Sequence, residues 1–359
     1  MTLRSALVIL SLLLSLAIGI TLSRGDAGSG RSRTGSGSTL QIGLSMDTLK
    51  EERWQTDRDR FTARARALGA EVLVSSANGD DTRQIRDVES LLSRNIDALV
   101  IIPHNGAVMA KGVEMAREAG VPVIAYDRLI TGCDLDLYIT FDNVRVGELQ
   151  ARFLADQLPG PGPHRIVRIY GSKTDNNALL FKQGQDQVLA PLIEQGRIQV
   201  VHEDWAADWK PENAKKIVNA AITRNGREIA AVLASNDGTA GGAIQALLEE
   251  GLAGKVVVTG QDAELAACQR IAAGTQAMTI YKPLRLLAER AAETAVDLAR
   301  RRPVIAAEAI DNGTRKVPTI LLEVVSVTRE NLEQTVIADG LHPRDAIFRS
   351  APTATPTAP

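Results

Sequence analysis

The sequence predicts an α/β protein of two doubly wound parallel-sheet lobes joined by a hinge of three chain crossings. Three observations carry this expectation. Short apolar runs recur from Leu40 onward, with stretches of helical periodicity between them. The runs are continuously apolar rather than alternating, as in strands covered on both faces. The chain's 359 residues also exceed the ~250–300 at which one hydrophobic core stops growing.

In chain order, the first lobe takes the runs 40–46, 71–76, 98–103, 121–126 and 137–141 as strands. Phe61, Ala65 and Leu68 mark the inward stripe of one helix between them, and Ile85, Val88, Leu91 and Leu92 that of another. The second lobe takes 165–170, 198–203, 230–235 and 255–260. A run at 277–281, a helix striped by Ala288, Ala291, Ala292, Ala295 and Leu298, and a last run at 320–327 follow. That helix and last run come after the second set, so crossings are expected at 142–143, 279–282 and 312–316. Parallel crossings make a hinge suited to closure about a cleft. The division is then 39–142 with 283–312 for the N-terminal lobe and 143–282 with 313–344 for the C-terminal lobe.

Residues 345–359, ending in SAPTATPTAP, are expected to be a disordered tail. Residues 1–38 are expected to hold an export signal or anchor followed by a Gly/Ser-rich tether. Residues 5–22 carry no charge. That run is longer than the ~7–15 apolar residues of a cleaved signal and reaches the ~17–25 that span a bilayer. The expected location is the periplasm or the outer face of the cytoplasmic membrane, with cleavage left open.

A formal net charge of -2 and the absence of a basic run give no support to a nucleic-acid partner. The two cysteines, Cys133 and Cys268, form no CxxC pair, and the four histidines are scattered. Neither a zinc site, a cofactor nor a disulfide is expected.

In doubly wound sheets, ligands sit beyond the carboxyl ends of the strands. Nearly every run here ends in a short polar side chain: Asp47, Asn78, Asp127 with Arg128, Asp142 with Asn143, Asp175 to Asn177, Asn236 with Asp237, Asp262 and Lys282. Helix capping explains any one Asp or Asn, but not Arg128 or Lys282. Mixed donors and acceptors from two lobes suit a small, neutral, polyhydroxylated ligand, because each hydroxyl both donates and accepts. Trp54 stands in the charged stretch KEERWQTDRDRF, and Trp205 and Trp209 in EDWAADWKPEN. One indole from each lobe would give a sugar ring two apolar walls. The alternative for Trp54 is a staple of its helix onto the core, since Phe61 lies on the same helical face.

At these residues the chain resembles the type I periplasmic sugar-binding proteins, and within them the D-xylose-binding proteins of ATP-driven sugar uptake. The resemblance is carried by ERWQTDRD (52–59), SANGDDT (76–82), DALVIIPHNG (97–106), AYDRLI (125–130), FDNVRVGELQA (141–151), DNNALLFKQGQ (175–185), ASNDGTAGGAIQAL (234–247), the block 254–283 and VIADGLH (336–342). It implies that Arg53 and Arg128 donate to sugar oxygens and that Asp127 and Asp262 accept hydroxyl protons. Asn177 and Asn236 would make bidentate amide contacts, and Lys282 would complete the donors. Trp54 and Trp209 would stack on the ring, with Trp205 structural. It also implies an ABC-type membrane permease as partner, a chemoreceptor as a further candidate, and a monomer. The choice of D-xylose over ribose, arabinose, glucose or galactose rests on the resemblance alone.

An enzyme is disfavoured: GxSxG, HExxH and GxxxxGK[ST] are absent, and Asp127 and Asp262 are each expected beside a cation that keeps them ionised. A sugar-responsive repressor would carry a DNA-reading helical headpiece where this chain has its apolar segment. A membrane-anchored sensor would keep the same ligand domain and retain residues 5–22.

Overall fold

A computed structural model describes residues 39–348. The expected signal and tether, and the tail beyond residue 348, lie outside the described residues.

The first sheet has the strand order β11-β12-β5-β4-β3-β1-β2. Its members are β1 (Leu40–Met46), β2 (Ala70–Ser76), β3 (Ala98–Ile102), β4 (Val123–Tyr126), β5 (Leu137–Phe141), β11 (Glu308–Asp311) and β12 (Lys316–Leu322). Helices α1 (Glu52–Ala67), α2 (Asp81–Ser93) and α3 (Ala110–Glu118) connect the early strands. Alternate residues of β3 explain its unbroken apolar run. Val100 and Ile102 pack with Phe61 and Ala65 of α1 and with Leu287 and Ala291 of α9 (Leu284–Ala299). Leu99 and Ile101 pack on the opposite face with Val88 of α2 and Val113 of α3. After α1 the chain turns at Gly69, whose φ of 82° favours glycine.

The second sheet runs β7-β6-β8-β9, with β6 (His164–Tyr170), β7 (Ile198–Trp205), β8 (Ala231–Ala234) and β9 (Val257–Val258). Helices α6 (Pro211–Asn225) and α7 (Asp237–Glu249) cover one face. Helices α4 (Asn143–Asp156) and α5 (Asn176–Glu194) cover the other. The last two helices approach closely because Gly184 faces the Val144 carbonyl, which a Cβ would meet at 2.0 Å. Beyond α8 (Leu265–Ala273), strand β10 (Thr279–Tyr281) pairs antiparallel with β13 (Val325–Val327).

The chain leaves the first sheet after Phe141 and returns to it through α9 after Tyr281. The third crossing differs from the expectation at 312–316. Strand β12 pairs in parallel with β5, from Thr319 opposite Tyr138 to Leu322 opposite Phe141, so 316–322 belong to the first sheet. The apolar run 320–327, read as one strand, is two strands in different sheets, and the crossing lies between Leu322 and Val325. The sheets are also not wholly parallel, because β11 joins β12 antiparallel at the edge. Residues 345–348, placed in the tail by composition, are ordered. The short helix α10 (Arg344–Ile347) docks through Ala346, whose carbonyl accepts from Gln269 Nε2 at 2.8 Å, and Ile347 is buried.

Candidate functional site

One cavity collects the polar ends of both lobes. From the first lobe come Glu51, Arg53 and Trp54 at the start of α1, with Asp127 and Arg128 after β4. The second lobe supplies Asp175, Asn177 and Phe181 around the start of α5, and Trp209 in the turn after β7. Asn236 after β8, Gln261 and Asp262 beyond β9, and Lys282 after β10 complete the wall. The nine residues singled out from the sequence are thus brought together. Glu51, Phe181 and Gln261 were missed, although Phe181 lies one helical turn beyond Asn177, and Asp175, noted only as a strand-end polar residue, also lines the wall.

Ion pairs tie the lobes across this cavity. Arg53 reaches Asp127 of its own lobe at 2.9 Å and Asp262 of the other at 3.2 Å, with Asp57 at 3.4 Å. Arg128 holds Asp47 at 2.7 Å and, across the cleft, Asp175 at 3.0 Å. Lys282, 1% exposed, lies 3.5 Å from Asp262 and over the rings of Phe141 and Phe181. Burial pushes the Asp127 carboxyl up, but Arg53, Lys282 and Arg128 outweigh it and hold it below the usual range. Asp57, which accepts from Tyr126, is pushed up to about 6 because burial outweighs Arg53. Burial likewise raises Asp175 against the pull of Arg128.

Backbone geometry aims several of these groups. Asp127 has φ 62°, Trp209 φ 58° and Asp262 φ 97°, conformations that cost non-glycine residues of order 1–3 kcal/mol and persist only where surroundings impose them. At Asp127 the imposing groups are visible: its carbonyl accepts from Thr140 Oγ1 at 2.7 Å, Tyr138 Oη at 2.9 Å and Asn177 Nδ2 at 3.0 Å.

The two asparagines already make hydrogen bonds within the protein. Asn177 Oδ1 already accepts from Asn143 Nδ2 at 2.9 Å and Tyr138 at 3.3 Å, while its Nδ2 serves Asp127. Asn236 Oδ1 caps α7 by accepting from the Thr239 amide at 2.9 Å and its hydroxyl at 2.7 Å. Asn236 Nδ2 makes no hydrogen bond among the described residues, whereas Asn177 ties the second lobe to Asp127 of the first. Capping also accounts for Asp142, which accepts from the Arg145 amide.

The indoles are set by their neighbours. Trp54 is 4% exposed, packs in the first-lobe core with Phe61 and lines the cavity, so the staple and the wall are one side chain. Arg53 and Arg128 lie 4.1 and 5.1 Å from its ring centre. Trp209 donates its Nε1 proton to Asp175 at 3.2 Å and meets Phe181 edge-on. Its ring lies against Gly171, where a Cβ would come within 2.0 Å. Trp205 instead packs at a tilt against Tyr170, ring centres 4.8 Å apart, and does not line the cavity.

A family model described as periplasmic binding protein domain matches residues 42–303. The chain belongs to the periplasmic binding proteins. Its fold is their type I arrangement. A D-xylose-binding periplasmic protein of Haemophilus influenzae is 49% identical over 86% of this chain and 92% of the relative. Its counterpart in Escherichia coli is 50% identical over 84% and 91%. Among solved structures, a carbohydrate transporter solute-binding protein of Chloroflexus aurantiacus in complex with D-glucose superposes with a TM-score of 0.81 at 33% identity. It covers 86% of this chain and 98% of its own.

Proposed function

We propose that this periplasmic binding protein captures one uncharged monosaccharide between its lobes and delivers it to an ABC-type permease, with D-xylose the first candidate. The observation that carries the reading is a cavity with an indole from each lobe and a rim of ion-paired carboxylates and guanidinium groups. A pyranose ring has C–H faces for the indoles and a hydroxyl edge for the rim. The role is non-catalytic: Asp127 is held ionised by three cations, unsuited to act as a general acid. Closure dries the site and so strengthens each polar contact. The names of the two relatives near 50% identity favour D-xylose. The glucose complex at 33% identity keeps aldohexoses as the second reading.

Export to the periplasm and action as a monomer belong to the same proposal, with a membrane-retained sensor form decided by N-terminal sequencing of the mature protein. Calorimetric titration with a panel of aldoses tests the reading. Saturable one-site binding, tightest for D-xylose, supports it, and silence toward every pentose and hexose refutes it.

A further inference from the structure

Most polar atoms around the cavity are already partnered within the protein, so those that are not carry information. Among the described residues lining it, two solvent-shielded side-chain atoms have no hydrogen-bond partner: Glu51 Oε2 in the first lobe and Gln261 Oε1 in the second. Gln261 is 3% exposed, and its backbone carbonyl is committed to the Asp237 amide at 2.9 Å. Glu51 stands at the N-cap of α1, yet its side chain caps nothing. A buried polar group without a partner is costly, so each is explained by something that fills the need. Both are oxygens, and a carboxylate or amide oxygen only accepts.

We infer that Glu51 and Gln261 are specificity-determining ligand contacts that accept protons from two different hydroxyls of the bound sugar, one from each lobe, and thereby exclude sugar acids. This rests on the monosaccharide reading above. The chemistry follows from the inventory of the wall. Neutral hydroxyls satisfy two acceptors on opposite lobes. A sugar carboxylate or phosphate brings no proton to Glu51 and sets like charge against it. The surrounding charges give an anion no compensation: the lining holds three cations, Arg53, Arg128 and Lys282, against the carboxylates of Glu51, Asp127, Asp175 and Asp262. Those cations are engaged with Asp127, Asp175 and Asp262 themselves.

The test is a cycle of protein and ligand variants. Calorimetry on the full chain compares wild type, Gln261→Met and Glu51→Gln with D-xylose, its monodeoxy derivatives and D-xylonate. Gln261→Met is expected to weaken D-xylose binding by roughly tenfold, while one monodeoxy sugar binds it and wild type alike. Glu51→Gln is expected to show the same coupling with a different deoxy position. Wild type is expected to bind D-xylonate at least about 100-fold more weakly than D-xylose, with the gap narrowed in Glu51→Gln. Equal loss for every ligand, or none for any, overturns the assignment. Equal affinity of wild type for D-xylonate and D-xylose overturns the exclusion without recourse to a variant. If wild type binds D-xylose but shows no coupling, only this inference fails. If it binds no neutral sugar at all, the monosaccharide reading fails first and takes this one with it.

Discussion

Replacing Gly171 by alanine alters the indole wall without touching the indole. The added Cβ would lie 2.0 Å from Trp209 Cη2 and 2.1 Å from Cζ2, so the ring must retreat by about 1.4 Å to reach ordinary contact at 3.4 Å. Trp209 is only half-buried, so the ring can yield without unfolding the lobe. Its bond to Asp175, already 3.2 Å long, and its edge contact with Phe181 do not survive such a shift. An aromatic platform stacked on a ring is worth roughly 1–3 kcal/mol, and a gap of ~0.5–1 Å forfeits a quarter to a half of a dispersion contact. A shift of this size forfeits about half of that contact, so a loss of about 0.5–1.5 kcal/mol is expected, roughly 2- to 13-fold in Kd. Trp209→Ala sets the upper bound at ~1–3 kcal/mol. Calorimetry with D-xylose, supported by tryptophan fluorescence, measures both variants. Wild-type affinity in Gly171→Ala would show that the position of Trp209 does not matter to the ligand, and the two-indole account would be refuted.

Other consequences concern stability. Arg53→Met leaves Asp127, Asp57 and Asp262 without their shared cation and is expected to cost about 3–5 kcal/mol in denaturant unfolding. A cost under about 1 kcal/mol would mean that the pairs carry no net interaction. Burial first, against nearby cations, pushes Asp57, Asp237 and Glu264 up to about 6, about 7 and about 8. Groups raised in the folded state stabilise it fully below their unfolded values of 3.8 for Asp and 4.5 for Glu, and lose that contribution as pH rises through the folded values. The Tm of the ligand-free protein should therefore fall from about pH 5 to about pH 8, less steeply in Glu264→Gln. A flat or rising profile would contradict the burial of these carboxyls. Gly184→Ala drives a Cβ to 2.0 Å from the Val144 carbonyl and should cost ~1–3 kcal/mol by thermal melting.

The strands were legible because burial on both faces leaves a continuous apolar run, as in β3, whatever the tertiary detail. The run 320–327 misled for the same reason: apolar character reports burial but not which sheet provides it, and the crossing at Glu323 and Val324 changes no residue type enough to mark it. Strand β11 was missed because EAID is a four-residue, largely exposed edge with no continuous apolar run. Site residues were legible where residue type defied capping, as with Arg128 and Lys282, and through the motifs around Arg53 and Trp54. Asn177 and Asn236 show the limit. Sequence placed them at the cavity, but whether an amide faces a ligand or is spent on Asp127 or Thr239 depends on partners far along the chain. Gln261 gave no signal because a glutamine after a strand is unremarkable until its neighbours leave its oxygen unpartnered.

The central claim is that a neutral pyranose lies between Trp54 and Trp209 with its hydroxyls on the ion-paired rim. A crystal structure grown with D-xylose tests it most directly. The account predicts one sugar ring in the interlobe cavity, its faces toward the two indoles and its hydroxyls within hydrogen-bonding distance of Asp127, Asp262 and the Asn236 amide. A saturating sugar bound elsewhere, or a ring held there without either indole, would contradict it.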